Sequence, residues 1–150
     1  HRMPAPVLRL ESESLGFLVR QAHRALARGL AERLTQYGVS PAQWTTLRAL
    51  WREDGGSQVD LAQRIGVEKA SLTALFEGLE TLQLIRRERS TEDKRRWNVF
   101  LTEAGRRLEK ELLPLAMEVE LQALRNVSSS DAAYLRALLI TVIENMQYSE

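Results

Sequence analysis

The chain has 150 residues, 44% hydrophobic and 27% charged, with a formal net charge of +1, which suits one domain with appended helices around a real core. Cysteine is absent and histidine occurs only as His1 and His23, which excludes disulfides and thiol chemistry and leaves too few ligands for a His-rich metal site. No apolar run approaches the ~20 residues of a membrane span, no long apolar stretch marks a secretory leader, and the cytoplasm is the expected compartment.

The opening His1-Arg2-Met3 reads as a remnant ahead of the native start and is set aside. From about Ser12 to Tyr37, Leu15, Leu18, Val19, Ala22, Leu26, Leu30 and Leu34 recur at helical spacing. Gly38 supplies the stop. The opposite side of this helix is rich in arginine. Residues 1–39 hold six arginines against three glutamates.

A second helix starts at Ser40-Pro41-Ala42-Gln43. Ser40 can cap it, Pro41 suits the first helical position, and Gln43 completes a capping box. It runs through Trp44, Leu47, Leu50 and Trp51 and ends at Asp54-Gly55-Gly56. Ser57-Gln58-Val59-Asp60 repeats the capping pattern ahead of a short helix that stops at Gly66. The next helix, within Val67 to Leu82, carries one stripe of Leu72, Leu75, Phe76, Leu79 and Leu82. Small polar residues near its start, Ser71 and Thr73, allow close approach to another surface. Two short helices joined by a tight turn read as a helix-turn-helix.

Leu84-Ile85-Arg86-Arg87-Glu88-Arg89 and the alternating Trp97-Asn98-Val99-Phe100-Leu101 then read as two short strands. Between them lies Glu92-Asp93-Lys94-Arg95-Arg96. A charged tip serves solubility and blocks edge aggregation. Directly after a helix-turn-helix it also makes a wing, and the expected fold is mainly α, a winged helix-turn-helix with a small β-hairpin. Residues 84–107 hold eight cations against four acids, whereas residues 108–150 hold three against seven. Such polarity suits a polyanion binder with one working face.

Thr102 can cap a long helix bearing Leu108, Leu112, Leu115 and Val119, with a kink or a break expected at Pro114. Ser128-Ser129-Ser130-Asp131 caps a last helix bearing Leu135, Leu138, Leu139, Val142, Ile143 and Met146. Residues 12–39 and 103–147 supply long apolar helices that a winged unit of residues 40–102 does not need. A homodimer is therefore expected, with Leu15, Leu18, Leu135, Leu138, Leu139 and Val142 facing the partner.

Three stretches, taken together, resemble the MarR family of bacterial transcription regulators. They are Leu61-Ala62-Gln63-Arg64-Ile65-Gly66-Val67, the wing segment Asp93-Lys94-Arg95, and Leu101-Thr102-Glu103-Ala104-Gly105. The resemblance runs from about residue 12 to 147. It implies an obligate dimer of triangular shape whose binding to double-stranded DNA is relieved by a small ligand.

Carried over by position, Arg95 matches a wing-tip arginine that enters the minor groove, and Asp93 matches the acid that holds it. Lys94 and Arg96 would serve phosphates. Ser71 and Thr73 match polar positions of the DNA-facing helix, and Gln58, Lys69, Ala70, Arg87 and Arg89 complete the expected DNA-facing set. This chain departs from the family where Ala74 and Gly78 replace common arginines and Gln83 replaces a helix-ending glycine. Family members often bind aromatic or other amphipathic acids, and the matching wall comprises Arg20, His23, Arg24, Trp44 and Arg48.

No cofactor is expected. No Ser/His/Asp set, phosphate-binding glycine loop or metal-ligand spacing is visible, so no enzyme is expected either. A protein–protein module on a winged-helix scaffold is the alternative, because fold does not fix function.

Overall fold

A computed structural model describes residues 9–147, apart from the side chains at positions 69 and 70. The first helix, α1 (Leu15–Leu34), begins where Ser14 Oγ accepts the Phe17 N–H at 3.2 Å. That is later than the apolar spacing suggests, because Leu10–Ser12 winds as a separate 3-10 turn. The helix passes into a second 3-10 turn, Thr35–Tyr37, closed by Gly38 at φ 67°. Then α2 (Pro41–Arg52) opens with both halves of the expected capping box: Ser40 Oγ accepts from Gln43 N, and Gln43 Oε1 accepts from Ser40 N. Ser57 caps α3 (Gln58–Ile65) through the Asp60 N–H, and Gly66 at φ 69° ends it. The helix after the turn, α4, spans Lys69–Thr81.

Strands β1 (Ile85–Arg89) and β2 (Trp97–Leu101) pair antiparallel, with Ile85 opposite Leu101 and Arg89 opposite Trp97. The far edge of β2 is partly covered. Val99 N donates to Gly56 O at 3.0 Å, and Ser57 bridges Asn98. Beyond the hairpin lie α5 (Glu103–Ala123) and α6 (Ser129–Gln147). Pro114 does not break α5, which continues as one helix on both sides of it. Pro114 and Lys110, whose carbonyl it leaves without its i+4 donor, both lie on the exposed side, where water can substitute.

The core sits where the helix-turn-helix meets the hairpin. Leu47 and Leu50 of α2, Leu61 of α3, Phe76 and Leu79 of α4 and Val99 of β2 are all under 2% exposed. Each such side chain contributes roughly 1.5–3 kcal/mol by leaving water. Leu34 of α1 and Leu112 of α5 are 0% exposed in the same cluster, so the terminal helices share this core. A second tie joins α1 to α5: Arg33 donates to Glu118 at 3.2 Å and to Gln122 Oε1 at 2.9 Å, beside Gly29, which lies against Val119. In contrast, α6 has no buried residue among those described.

One junction aims the wing. Thr102 N donates to Leu84 O, Thr102 Oγ1 donates to Gln83 O at 2.7 Å, and the same hydroxyl accepts the Gly105 N–H. Trp51 Nε1 of α2 donates to Gly105 O at 2.9 Å. The approach is so close that a Cβ on Gly105 would lie 2.1 Å from Leu84 O. On the other side, Asp54 Oδ1 accepts from both Gly55 N and Leu101 N, at 2.9 and 2.8 Å. Asp54-Gly55-Gly56 therefore anchors the end of β2 as well as terminating α2.

Gln83, which links α4 to β1, lies at φ 59°. This is the left-handed conformation that glycine reaches without strain, so the departure from the family glycine carries a backbone cost. At Gly78, a Cβ would meet Gln43 Nε2 at 2.7 Å. Position 78 thus lies beside the capping box of α2, against the movable end of the Gln43 side chain.

These two backbone positions predict stability changes of opposite sign. Gly105→Ala forces α5 away from Leu84 and should lower unfolding free energy by about 1–3 kcal/mol. Gln83→Gly relieves the left-handed strain and should raise it by up to about 1 kcal/mol, after glycine's larger unfolded-state entropy is subtracted. Urea unfolding of the two variants against the parent checks both; a loss in Gln83→Gly would mean that the linker is not strained.

Candidate nucleic-acid interface

Alternation along the hairpin gives its two faces different tasks. Ile85, Arg87 and Arg89 share one face with Leu101, Val99 and Trp97. At the base this face is core: Ile85, Leu101 and Val99 are buried. Further out, the same face becomes Arg87, Arg89 and Trp97. The guanidinium carbon of Arg89 lies 5.0 Å from the Trp97 ring centroid and that of Arg87 lies 5.8 Å from it. On the other face Arg86 stacks over Phe100 at 4.7 Å and pairs with Glu88.

Arg87 is occupied within the protein. Its Nε donates to Glu80 Oε1 at 2.7 Å, and its NH1 donates to Gln58 Oε1 at 3.3 Å. It is half-buried and ties β1 to α4 and α3. Arg87 and Gln58, both expected in the DNA-facing set, each give part of their hydrogen-bonding capacity to the other. Arg89, by contrast, is exposed and forms no ion pair among the described residues.

At the tip, Arg95 is extended into solvent, its side chain 92% exposed. Its own backbone N–H donates to Asp93 Oδ1 at 3.0 Å and its Nε to the same oxygen at 3.2 Å. Arg96 Nε lies 3.9 Å from Asp93 Oδ2, and Lys94 is exposed beside them. The Arg95 backbone N–H, then its guanidinium, hold the Asp93 carboxyl below the ordinary aspartate range, with Arg96 adding and desolvation opposing. A depressed carboxylate is ionised throughout the neutral range. Its contribution is complete above the ordinary aspartate pKa and is lost only as pH falls through the lowered one. Ser90 Oγ accepts from Glu92 N and Asp93 N and closes the turn from the other side.

On α4, Leu72, Leu75, Phe76 and Leu79 point inward, while Ser71, Thr73, Ala74 and Glu77 are exposed. Lys69 and Ala70 were expected in the DNA-facing set, and their side chains lie outside the described residues. Sequence reasoning missed Trp97, Glu80 and Asp54. The period of two in Trp97-Asn98-Val99-Phe100-Leu101 places Trp97 on the inward face, but only the pairing register shows it opposite Arg89.

The expected ligand wall divides between exposed and core positions. Arg20, His23 and Arg24 are exposed along α1. Trp44 is 6% exposed and belongs to the core, with its ring edge-on to Trp51 at 5.5 Å and Arg48 at 5.8 Å from its centroid. Its assignment to a ligand wall gives way to a packing role. Two clefts lie elsewhere: a polar one between Ser57, Asp60 and the wing turn, and a more apolar one between α3 and the start of α4. Neither is lined by those five residues. No helix among the described residues is long and apolar enough to cross a membrane.

A model described as the MarR family matches residues 37–96, the helix-turn-helix and most of the wing. The HTH-type transcriptional regulator TtmR of Methylorubrum extorquens is 33% identical over 94 residues, 63% of this chain. The chain spans about half of TtmR's length, 48%. A solved structure of a probable transcriptional regulator from Pseudomonas aeruginosa superposes with a TM-score of 0.80 at 31% identity, over 89% of this chain and 99% of that one. Bordetella bronchiseptica BpsR, solved in connection with regulation of its DNA binding by 6-hydroxynicotinic acid, superposes at 0.80 with 23% identity, over 87% of this chain and 98% of BpsR. The sequence motifs, the winged helix-turn-helix and these likenesses converge on one conclusion: the chain belongs to the MarR family of DNA-binding transcription regulators.

Proposed function

We propose that the protein works as a homodimeric repressor on a pseudo-palindromic operator and that a small acid releases it. The exposed Arg95 latched by Asp93 carries the DNA half of this reading. A guanidinium pre-oriented by a carboxylate enters a narrow minor groove at lower entropic cost than a free one. Lys94, Arg96 and Arg89 then meet phosphates, while Ser71 and Thr73 of α4 face the major groove. With Ala74 at the exposed centre of that helix, direct reading is short of its usual arginine–guanine contact, and operator shape carries more of the selectivity.

The dimer half rests on α6. Leu135, Leu138, Leu139 and Ile143 are 47%, 45%, 40% and 54% exposed, and Leu15 of α1 is 61% exposed. A soluble protein seldom leaves so continuous an apolar surface open. Residues 12–39 and 103–147 thus form the dimerisation region and residues 40–102 the DNA-binding unit. Two copies related by a two-fold axis would present two wings to one operator. The release half rests on charge and on precedent. Arg20, His23, Arg24 and Arg48 offer cationic partners for an acid, and BpsR supplies the precedent of a small aromatic acid acting on DNA binding.

Four outcomes test this function. A genome-fragment selection at two salt concentrations should return a short inverted repeat. On that site Arg95→Ala should weaken binding and flatten the salt dependence by roughly 0.9 in log–log slope for each phosphate the wing no longer neutralises, with an unchanged melting curve. Full affinity in that variant would remove the wing mechanism. Leu139→Glu should shift the sedimentation profile from dimer to monomer, and an unshifted profile would place the interface elsewhere. Among a panel of aromatic acids, at least one should raise the melting temperature and release the DNA; if none does, release by a small acid loses its support.

A further inference from the structure

Trp97 is an aromatic residue of the wing that no part of the function above uses. It is 38% exposed, although its face of the hairpin is buried core two residues further along, at Val99. A tryptophan that only completed the core would be covered. This one projects beyond the core's edge on the inner side of the wing, the side that looks toward α3 and α4 through Arg87, Gln58 and Glu80. Arg87 and Arg89 both lie over its ring.

The two arginines are not equivalent. The charge of Arg87 is already answered by Glu80, at 2.6 Å from its NH2. Arg87 therefore acts as a strut that fixes one side of the ring relative to α4. Arg89 sits directly across the pair from Trp97 and has no carboxylate partner among the described residues. Stacking constrains its long side chain without neutralising it, since an aromatic face attracts a cation but brings no opposing charge. Of the hairpin-strand arginines, Arg86 is paired with Glu88 and Arg87 with Glu80. Arg89 is left as the strand cation held in place with its charge unspent.

We propose that Trp97 is a positioning residue for DNA binding: it holds Arg89 as a preformed phosphate clamp at the inner base of the wing tip. The chain Glu80–Arg87–Trp97–Arg89 sets the clamp's place relative to α4. The clamp would grip the backbone strand that runs between the DNA-facing helix and the wing. This rests on the DNA-binding reading above, but on no base contact, because a phosphate clamp acts on any sequence.

A double-mutant cycle on a short mixed-sequence duplex at low salt tests it, with Trp97→Leu, Arg89→Ala and the double variant, and Trp97→Phe as the conservative change. Melting curves confirm that each variant remains folded. For a dimer with two wings, Trp97→Leu should weaken binding by roughly 5- to 100-fold, the cost of ordering one long side chain per wing that the stack has already met in the free protein. Trp97→Phe should recover most of that loss. In the Arg89→Ala background, Trp97→Leu should have almost no further effect, because the indole acts through Arg89. An equal loss in both backgrounds would make Trp97 a general structural support or a direct DNA contact and overturn the proposal. So would full affinity in Trp97→Leu. If the parent protein shows no salt-sensitive affinity for the duplex, the DNA-binding reading itself fails, and the clamp with it.

Discussion

The orientation of the wing depends on how closely the first turn of α5 approaches the backbone of Leu84. Gly105 makes that approach possible, since any Cβ there would occupy the space of Leu84 O. Around it, Thr102 binds the Leu84 and Gln83 carbonyls, and Trp51 reaches Gly105 O from α2. Three elements thus meet at main-chain carbonyls, reached by the Thr102 backbone N–H, its short hydroxyl and the rigid Trp51 indole. Short, directional contacts of this kind set an angle, whereas apolar packing sets mainly a distance. A hairpin held only by the Ile85, Val99 and Leu101 contacts could rock about the core, and Asp54 on the opposite edge removes that freedom by fixing Leu101 N.

From this fixed base, charge is graded outward along the hairpin. Next to the core the cations are spent: Arg86 on Glu88, Arg87 on Glu80 and Gln58. Arg89 is stacked but unpaired among the described residues, and Arg95 at the tip is paired yet almost fully exposed. Exposed pairs contribute little to stability, so the Asp93–Arg95 latch makes physical sense as orientation rather than as support for the fold. The same holds for Gln83. Its left-handed backbone is a cost at the link between the DNA-facing helix and the wing, offset by the Thr102 hydrogen bond to its own carbonyl.

At its other end the molecule has the reverse character. Among the described residues α6 buries none, and its apolar side chains stand open. The chain therefore combines a core that closes on itself, a basic hairpin that projects from it, and an apolar end that does not close within one copy. The proposed homodimer would account for all three with one two-fold axis.

Local order was legible in the sequence because its causes are local. The Ser40–Gln43 box, the Ser57 and Thr102 caps, the Gly38 and Gly66 stops and the two strands each depend on residues within a few positions of one another. The Asp93–Arg95 latch was legible for the same reason, as its partners are two residues apart. Features that join distant positions could not be read. Arg87 with Glu80 and Gln58, Trp51 with Gly105, Asp54 with Leu101, and Gly78 against Gln43 depend on how helices and strands pack. So does the burial of Trp44, whose helical stripe fits a ligand wall as well as a core. Sequence by itself determined which segments become helix, strand and wing, and which family they build. Tertiary structure alone decided that Arg87 is claimed by Glu80 of α4 while Arg89, two residues on, has no such partner among the described residues, because that depends on how the hairpin packs against the helices.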